Sequence, residues 1–250
     1  MTETHLPPGV LDELRLLTTC VAASAIETFG VRLPNAGFCD STIRAIFPEM
    51  PAAVGFAATA RVCSAAPPME GGTYYARTDW WEHIMAVGAP RIVVIQDVDE
   101  KPGLGALVGE VHASILSSLG CAGLVTNGAV RDLPEVRAIP FPMFAGNVSV
   151  SHAYAHISGF GQTVEMCGLK IQPGDLLMAD MHGVLSIPLD IAARVPVVAR
   201  EIRARRGVIV DLCRGGPCER EALRDQCARL GVIRHAVNQA SESGPKGGRS

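Results

Sequence analysis

Residues 109 to 132 read GEVHASILSSLGCAGLVTNGAVRD and hold most of the side chains here that could do chemistry together. Val111, Ile115 and Leu119 form an apolar stripe with Leu116 beside it, which predicts a helix over 110–119 with Glu110 in its first turn. First-turn N–H groups carry partial positive charge and lack partners within the helix, so they suit a carboxylate or phosphate. Gly103, Gly105 and Gly109 would let a ligand approach the backbone, and a flexible loop would use the same glycines for its turns. Arg131 and Asp132 close the next apolar strand, CAGLVTNG, after a turn expected at Asn127–Gly128. Two carboxylates with a cation between them fit a hard divalent metal beside an anionic substrate. A surface Arg–Asp pair capping a helix near Leu133–Pro134 explains the same spacing, and on spacing alone it is the stronger explanation.

The surrounding elements decide whether these residues can meet. RIVVIQDV, 91–98, is a continuous β-branched run that predicts a strand buried on both faces. With the helix and the strand after it, this makes a strand–helix–strand unit with parallel strands. Ligands of such units collect beyond the carboxyl ends of the strands. Topology therefore brings Glu110, the 110–112 amides, Arg131 and Asp132 to one rim, with Asp97 a weaker candidate.

Upstream, a helix is expected over 10–28, a second short one in FCDSTIRAIFP, a strand in AAVGFAATARVCSA and a helix in YYARTDWWEHIMAVG. The loop DEKPGLGALVG precedes the 110–119 helix. Beyond Pro134 the turn residues Gly168, Pro173–Gly174–Asp175 and His182–Gly183 predict hairpins. From Asp190 the pattern is helical, with a break near Pro196, and the polar stretch after 235 reads as a disordered tail. The expectation is one α/β domain over 1–235 with helical ends, followed by a tail over 236–250.

His152 and His156 have the i, i+4 spacing of two ligands on a helix face, and one of them is expected to line a pocket. Asp180 and His182 read as hairpin-turn residues. The eight cysteines contain no C-x-x-C pair; Cys20, Cys121 and Cys167 lie in apolar stretches. Zinc at Cys213, Cys218 and Cys227 is the weakest reading, and reduced structural thiols are preferred. A net charge of −3 argues against a strongly basic nucleic-acid binder. No apolar run approaches the roughly 20 residues of a membrane helix, and the first residues lack a signal-peptide pattern, so a cytoplasmic protein is expected.

GEVHASILSSLGCAGLVTNGAVRD resembles the helix and G-x-V-R-D segment of the RraA-like family, which includes class II 4-hydroxy-4-methyl-2-oxoglutarate aldolases and proteins named as regulators of ribonuclease E. The likeness runs from about residue 20 to 190; FCDSTIRAIFP looks like the family's early helix and QPGDLLMADMHGVLSIP like its late hairpin. The resemblance implies a swivelling β/β/α fold assembled as a homotrimer or hexamer, with sites between subunits. It implies that Asp132 ligates Mg²⁺ or Mn²⁺, that Arg131 contacts a keto-acid oxygen, and that Glu110 is catalytic, orienting a metal-bound water that would move the proton from the C4 hydroxyl. The N–H groups of Val111 and His112, next to Gly109, would bind the carboxylate of a pyruvyl unit, with His152 lining the substrate pocket.

Those roles imply a metal-dependent lyase that cleaves a 4-hydroxy-2-oxo acid to release pyruvate, with oxaloacetate decarboxylation through the same enolate. This chain departs from the family in carrying Asn127 where Asp is usual and in having SVSHAYAHISGFG in place of an Arg/Ser-rich stretch. Glu201 is the candidate for the glutamate that a neighbouring subunit often contributes. A ring-shaped, protein-binding regulator of the ribonuclease E type is the alternative; it would need neither metal nor an intact Arg131–Asp132 pair.

Overall fold

The structure, a computed structural model, describes residues 6–68 and 77–229. The tail expected over 236–250 lies outside the described residues, as do the first three residues of YYARTDWWEHIMAVG. Contacts divide the chain into two compact units, residues 36–189 and residues 1–35 with 190–250.

In the second of these units the helix expected over 10–28 is two helices, α1 (Val10–Arg15) and α2 (Thr19–Thr28). The break falls at Thr18, whose hydroxyl accepts the Val21 N–H and caps α2. Sequence periodicity carried across the break because Leu14 and Leu17 are both buried.

The 36–189 unit is built on a sheet. β1 (Arg44–Ala45) and β2 (Ala53–Cys63) lead to α3 (Thr78–Ala86) and β3 (Arg91–Asp97). β4 (Ala106–Val108), α4 (Glu110–Ser118), β5 (Cys121–Val130), α5 (Leu133–Arg137) and β6 (Met143–Val148) follow. β7 (His156–Phe160), the hairpin β8 (Val164–Met166) with β9 (Leu169–Ile171), and the hairpin β10 (Leu176–Asp180) with β11 (Gly183–Ile187) complete it. The sheet runs β1-β6-β5-β3-β2-β10-β11, with β4 on β5 and β7 on β2. Its centre is parallel: β2 with β3, β3 with β5, β5 with β6.

The apolar run of β3 feeds both faces. Val93 and Ile95 join a core with Trp80, Ile84, Leu116 and Val136 from the helices, while Ile92 and Val94 join one with Val164, Met166, Leu169 and Ile171. A strand buried on both sides is what a run of β-branched residues without alternation encodes. The expected mixed α/β fold, with helices at both ends of the chain, is what the structure has.

Three local expectations are corrected. FCDSTIRAIFP is not a helix: Asp40 accepts the Thr42 N–H at 2.8 Å in a side-chain turn, and the Cys39, Asp40 and Ile46 amides bond to Val184, Cys167 and Met143 carbonyls instead. Pro196 does not break the last helix; it lies in the first turn of α6 (Val195–Arg214), where its missing N–H costs nothing. In the same unit Arg200 pairs with Glu13 at 2.6 Å and the Arg206 guanidinium donates to Ser24 Oγ at 2.9 Å, tying α6 to α1 and α2.

Asn127–Gly128, expected as a turn, lies inside β5. The ladder to β6 slips between Thr126 and Ala129, and Asn127 fills the irregularity. Its Oδ1 accepts the Asp97 N–H at 2.7 Å and its Nδ2 donates to the Asp97 carbonyl at 3.0 Å, so a side chain replaces a ladder rung to β3. Asp97 is buried, so Asn127→Ala should cost about 2–3 kcal/mol, the scale of two lost hydrogen bonds that strand buried backbone groups. Denaturant midpoints at unchanged m-value check it; a loss below about 0.5 kcal/mol would contradict the clamp.

Candidate functional site

β5 and β4 end side by side, Val130 paired with Val108, and each chain turns there in its own way. After β4, Gly109 caps α4, which begins at Glu110. After β5, Arg131 is followed by Asp132 in a left-handed backbone conformation (φ 53°, ψ 43°) at the start of α5. That conformation costs most L-residues about 1–2 kcal/mol, and Asp tolerates it better than most.

Asp132 occupies the capping position of α5, yet its carboxylate makes no cap bond to that helix. Oδ2 accepts the Glu110 N–H at 3.1 Å, at the N-terminus of α4, and Oδ1 accepts from Arg131 Nε at 2.9 Å. The helix-capping explanation of the Arg–Asp pair therefore does not describe this carboxylate. Gly109 makes the contact possible: a side chain there would overlap the Asp132 carboxylate and come within 2.8 Å of Arg131 Cγ. Partial burial pushes the Asp132 carboxyl upward; the Arg131 and Glu110 hydrogen bonds, with the charges of Arg131 and His152, outweigh it and hold the group below the ordinary aspartate range.

The remaining candidates distribute unevenly around this pair. Glu110 and Val111 are exposed at the start of α4, in the turn whose N–H groups the helix itself leaves without acceptors. His112 is in the same turn with its side chain buried, 6.5 Å from the Trp80 ring. His152 and His156 do not share a helix face: 149–155 is irregular, and His156 opens β7. Ala153 stands at φ 47°, which no continuing helix permits, and the neighbouring amides bond to other segments. His152 Nδ1 lies 2.6 Å from the Ala106 carbonyl, and His156 Nδ1 lies 2.8 Å from that of Tyr154. Glu201 is exposed on α6.

Asp180 accepts the His182 N–H at 2.9 Å in the β10–β11 turn, as hairpin residues do. The eight cysteines are free thiols, and Cys20 is exposed despite its apolar neighbours in sequence, because it falls on the outer side of α2. Among the described residues, no three His, Cys, Asp or Glu side chains are grouped to hold a metal ion, so the terminal cysteines form no such group there.

A second carboxylate pair organises the loop before β4, and the sequence reading undervalued it. Asp97 accepts the Gly103 N–H at 2.7 Å and the Asp99 N–H at 3.1 Å; burial pushes its carboxyl upward. Asp99 accepts from the Ser64 hydroxyl (2.6 Å), the Ser64 and Ala65 amides and the Cys63 thiol. Beside Asp97 lies a cavity of about 10 Å³, touched also by Gly105, Thr126 and Gly128, enough for about one water. The available signal was position: Asp97 ends the mostly buried strand β3 and Asp99 follows two residues later.

These elements define an α/β protein that presents a carboxylate, a guanidinium and a helix N-terminus along one edge of a parallel sheet. The chain belongs to the RraA-like family, whose model, described as Aldolase/RraA, matches residues 19–186. It is 33% identical over 86 residues to the 4-hydroxy-4-methyl-2-oxoglutarate aldolase of Thermus thermophilus, covering 33% of this chain and 51% of that one. It is 25% identical over 130 residues to the Methanocaldococcus jannaschii protein MJ0644, covering 51% of this chain and 62% of that one. The chain thus spans about half the length of these curated relatives.

Among solved structures, it is similar to an uncharacterized Pseudomonas syringae protein (TM-score 0.67, 21% identity, 92% of this chain and 95% of that one). It is also similar to Streptomyces coelicolor RraAS2, described as an unusual member of the RNase ES inhibitor RraA protein family (TM-score 0.63, 20% identity, 82% and 96%). At those identities the likeness concerns the fold.

The low-lying Asp132 carboxyl gives a signed expectation. Its contribution to stability is present above the unfolded aspartate value of about 3.9 and is lost as pH falls through the lower folded value. Asp132→Asn should melt below the native chain at pH 7, and the gap should close below about pH 3.9. Gly109→Ala, by displacing the carboxylate, should return the Asp132 titration toward its ordinary value, read by carboxyl ¹³C NMR. An unchanged titration would contradict the close-approach role of Gly109.

Proposed function

We propose that this chain is a divalent-cation-dependent lyase that cleaves a 4-hydroxy-2-oxo acid in the aldol sense, releases pyruvate, and decarboxylates oxaloacetate through the same enolate. One observation carries the reading: Asp132 adopts a left-handed backbone and leaves its own helix uncapped in order to join Arg131 to the N-terminus of α4. The aldolase name of the Thermus relative supports the same direction.

Asp132 fits a hard cation. It is an ionised oxygen donor with lone pairs to spare, although among the described residues no three His, Cys, Asp or Glu side chains group around it. Mg²⁺ characteristically binds through one or two carboxylates and keeps several waters. Held there, Mg²⁺ or Mn²⁺ would act as a Lewis acid on the 2-oxo group and its enolate.

The chain's own residues do the rest. Arg131, fixed through Nε by Asp132, keeps its terminal guanidinium nitrogens to donate to the 2-oxo oxygen, a bond that strengthens as charge develops there. The Val111 and His112 amides of the α4 turn hold the C1 carboxylate at the positive end of the helix. Glu110, exposed beside them, orders water at the rim.

A homotrimer or hexamer completes the proposal. Val98, Val111 and Val148 are exposed at or just after the ends of β3, β4 and β6, and Leu104 in the loop before β4, where a neighbouring subunit would cover them. In the second reading, a binding-only regulator, Asp132 would serve only as the structural tie between α4 and the end of β5, and no metal would be needed.

The test is pyruvate release from 4-hydroxy-4-methyl-2-oxoglutarate and from oxaloacetate, before and after EDTA. Activity should vanish with the chelator and return with Mg²⁺ or Mn²⁺; full turnover in verified metal-free protein would overturn the reading. Arg131→Lys retains charge but loses the planar fork, and should lower kcat by about 10²–10³, the scale of a lost oxyanion donor. Near-normal turnover in that variant, stably folded, would return Arg131 to a structural role.

A further inference from the structure

Arg131 is held through its backbone as well as by Asp132. The peptide group that enters it is bonded on both sides. The Arg131 N–H donates to the Val108 carbonyl at 3.0 Å, and the Val130 carbonyl accepts the Ser149 N–H at 3.1 Å. The first bond reaches the last residue of β4. The second is a rung just past the ends of β5 and β6, which close at Val130 and Val148. A rung in that position frays unless the residue that makes it is anchored by something else.

Packing within the chain does not anchor Ser149, because its neighbours Val148 and Val150 are 56% and 96% exposed. Its own hydroxyl does. The hydroxyl donates to the Leu104 carbonyl at 3.0 Å, in the loop before β4, and accepts the Ser151 N–H at 3.4 Å. The Leu104 carbonyl is a fixed acceptor, since the residues on either side of it are tied. The Gly103 N–H is bonded to Asp97 at 2.7 Å and the Gly105 N–H to the Ser64 hydroxyl at 3.1 Å. The Ser151 carbonyl in turn accepts the Ala106 N–H at 2.9 Å, so the segment is joined to β4 a second time.

We infer that Ser149 is a positioning residue for Arg131: its hydroxyl fixes the segment whose N–H holds the peptide group carrying that guanidinium. The role rests on the lyase reading above, in which Arg131 donates to the 2-oxo oxygen. Asp132 fixes the direction of the guanidinium through Nε, and the peptide group fixes the point from which the side chain starts. Both are needed to set where the terminal nitrogens fall, and a displacement on the order of 1 Å at a reacting centre can cost about 10²-fold in rate. Ser149 itself contacts no reacting atom. Its loss should therefore slow enolate formation and leave substrate affinity, set by the α4 amides and the cation, almost unchanged.

Ser149→Ala removes the hydroxyl and keeps the N–H. With Mg²⁺ and 4-hydroxy-4-methyl-2-oxoglutarate, kcat should fall about 3- to 10-fold, the rate equivalent of one neutral hydrogen bond, with KM within about twofold of native. Ser149→Thr, which keeps the hydroxyl, should restore kcat. A double-mutant cycle then separates positioning from general structure. In an Arg131→Met background, where the positioned donor is gone, adding Ser149→Ala should leave the residual kcat within about twofold. The same 3- to 10-fold fall in both backgrounds, or a Thr variant as slow as the Ala variant, overturns the assignment. Hydrogen exchange followed by mass spectrometry reads the anchor without any reaction: exchange around 148–150 should quicken in the Ala variant and stay native in the Thr variant. Unchanged exchange there in the Ala variant also overturns it. A native chain active on the substrate but failing these comparisons rejects the positioning role alone; one inactive on this substrate and on oxaloacetate rejects the lyase reading and the role with it.

Discussion

The carboxylate of Asp132 is the point on which the site depends. It receives one hydrogen bond from a side chain on its own segment and one from the backbone of a helix 22 residues earlier in the chain. Remove it and Arg131 loses the bond that aims it, while the N-terminus of α4 loses the acceptor that ties it to the end of β5. The group is ionised because two donors outweigh the cost of its partial burial. As the proposed cation ligand it would be pre-formed, with little reorganisation left for binding.

The sheet sets up this meeting. β4 and β5 run parallel and terminate at neighbouring residues, so the chain leaving each strand enters the same space. Gly109 leaves out the one side chain that would keep the two exits apart. Asp132 leaves the strand in a left-handed turn, so its side chain need not follow the strand's alternation. Deeper in, Asn127 holds β5 to β3 where the ladder slips, and Asp97 and Asp99 hold the loop that precedes β4. Each connection lies on the carboxyl side of the parallel strands, where a doubly covered α/β sheet gathers ligands.

Much of this was legible in the sequence because it depends on periodicity and chain direction. The apolar run 91–98, the stripe of α4 and the strand ending at Arg131 fix a parallel unit, and that unit fixes the rim. Less legible were features in which side chains replace backbone partners. Asn127–Gly128 has the composition of a turn, and only the Asp97 backbone opposite it turns it into a bulge filler. FCDSTIRAIFP has helical spacing, and the side-chain turn at Asp40 with three cross-chain backbone bonds overrides it. His152 and His156 suggested a helix face for the same reason, where Ala153 and the docking onto β4 impose a loop. Spacing alone favoured a cap for Arg131–Asp132, because the choice rests on which N–H the carboxylate finds, a fact of three dimensions.

The central claim is that the Asp132-anchored edge stabilises the enolate of a 2-oxo acid, and it can be tested without knowing the full substrate. Pyruvate itself should exchange its methyl protons with deuterated solvent on this site, since exchange requires only enolate formation. Followed by ¹H NMR in the presence of Mg²⁺ or Mn²⁺, the account predicts exchange by the native chain well above the metal-only rate. It predicts a return to the metal-only rate in a folded Asp132→Asn variant. Exchange that survives in that variant, or a native chain that never exceeds metal alone, would contradict it.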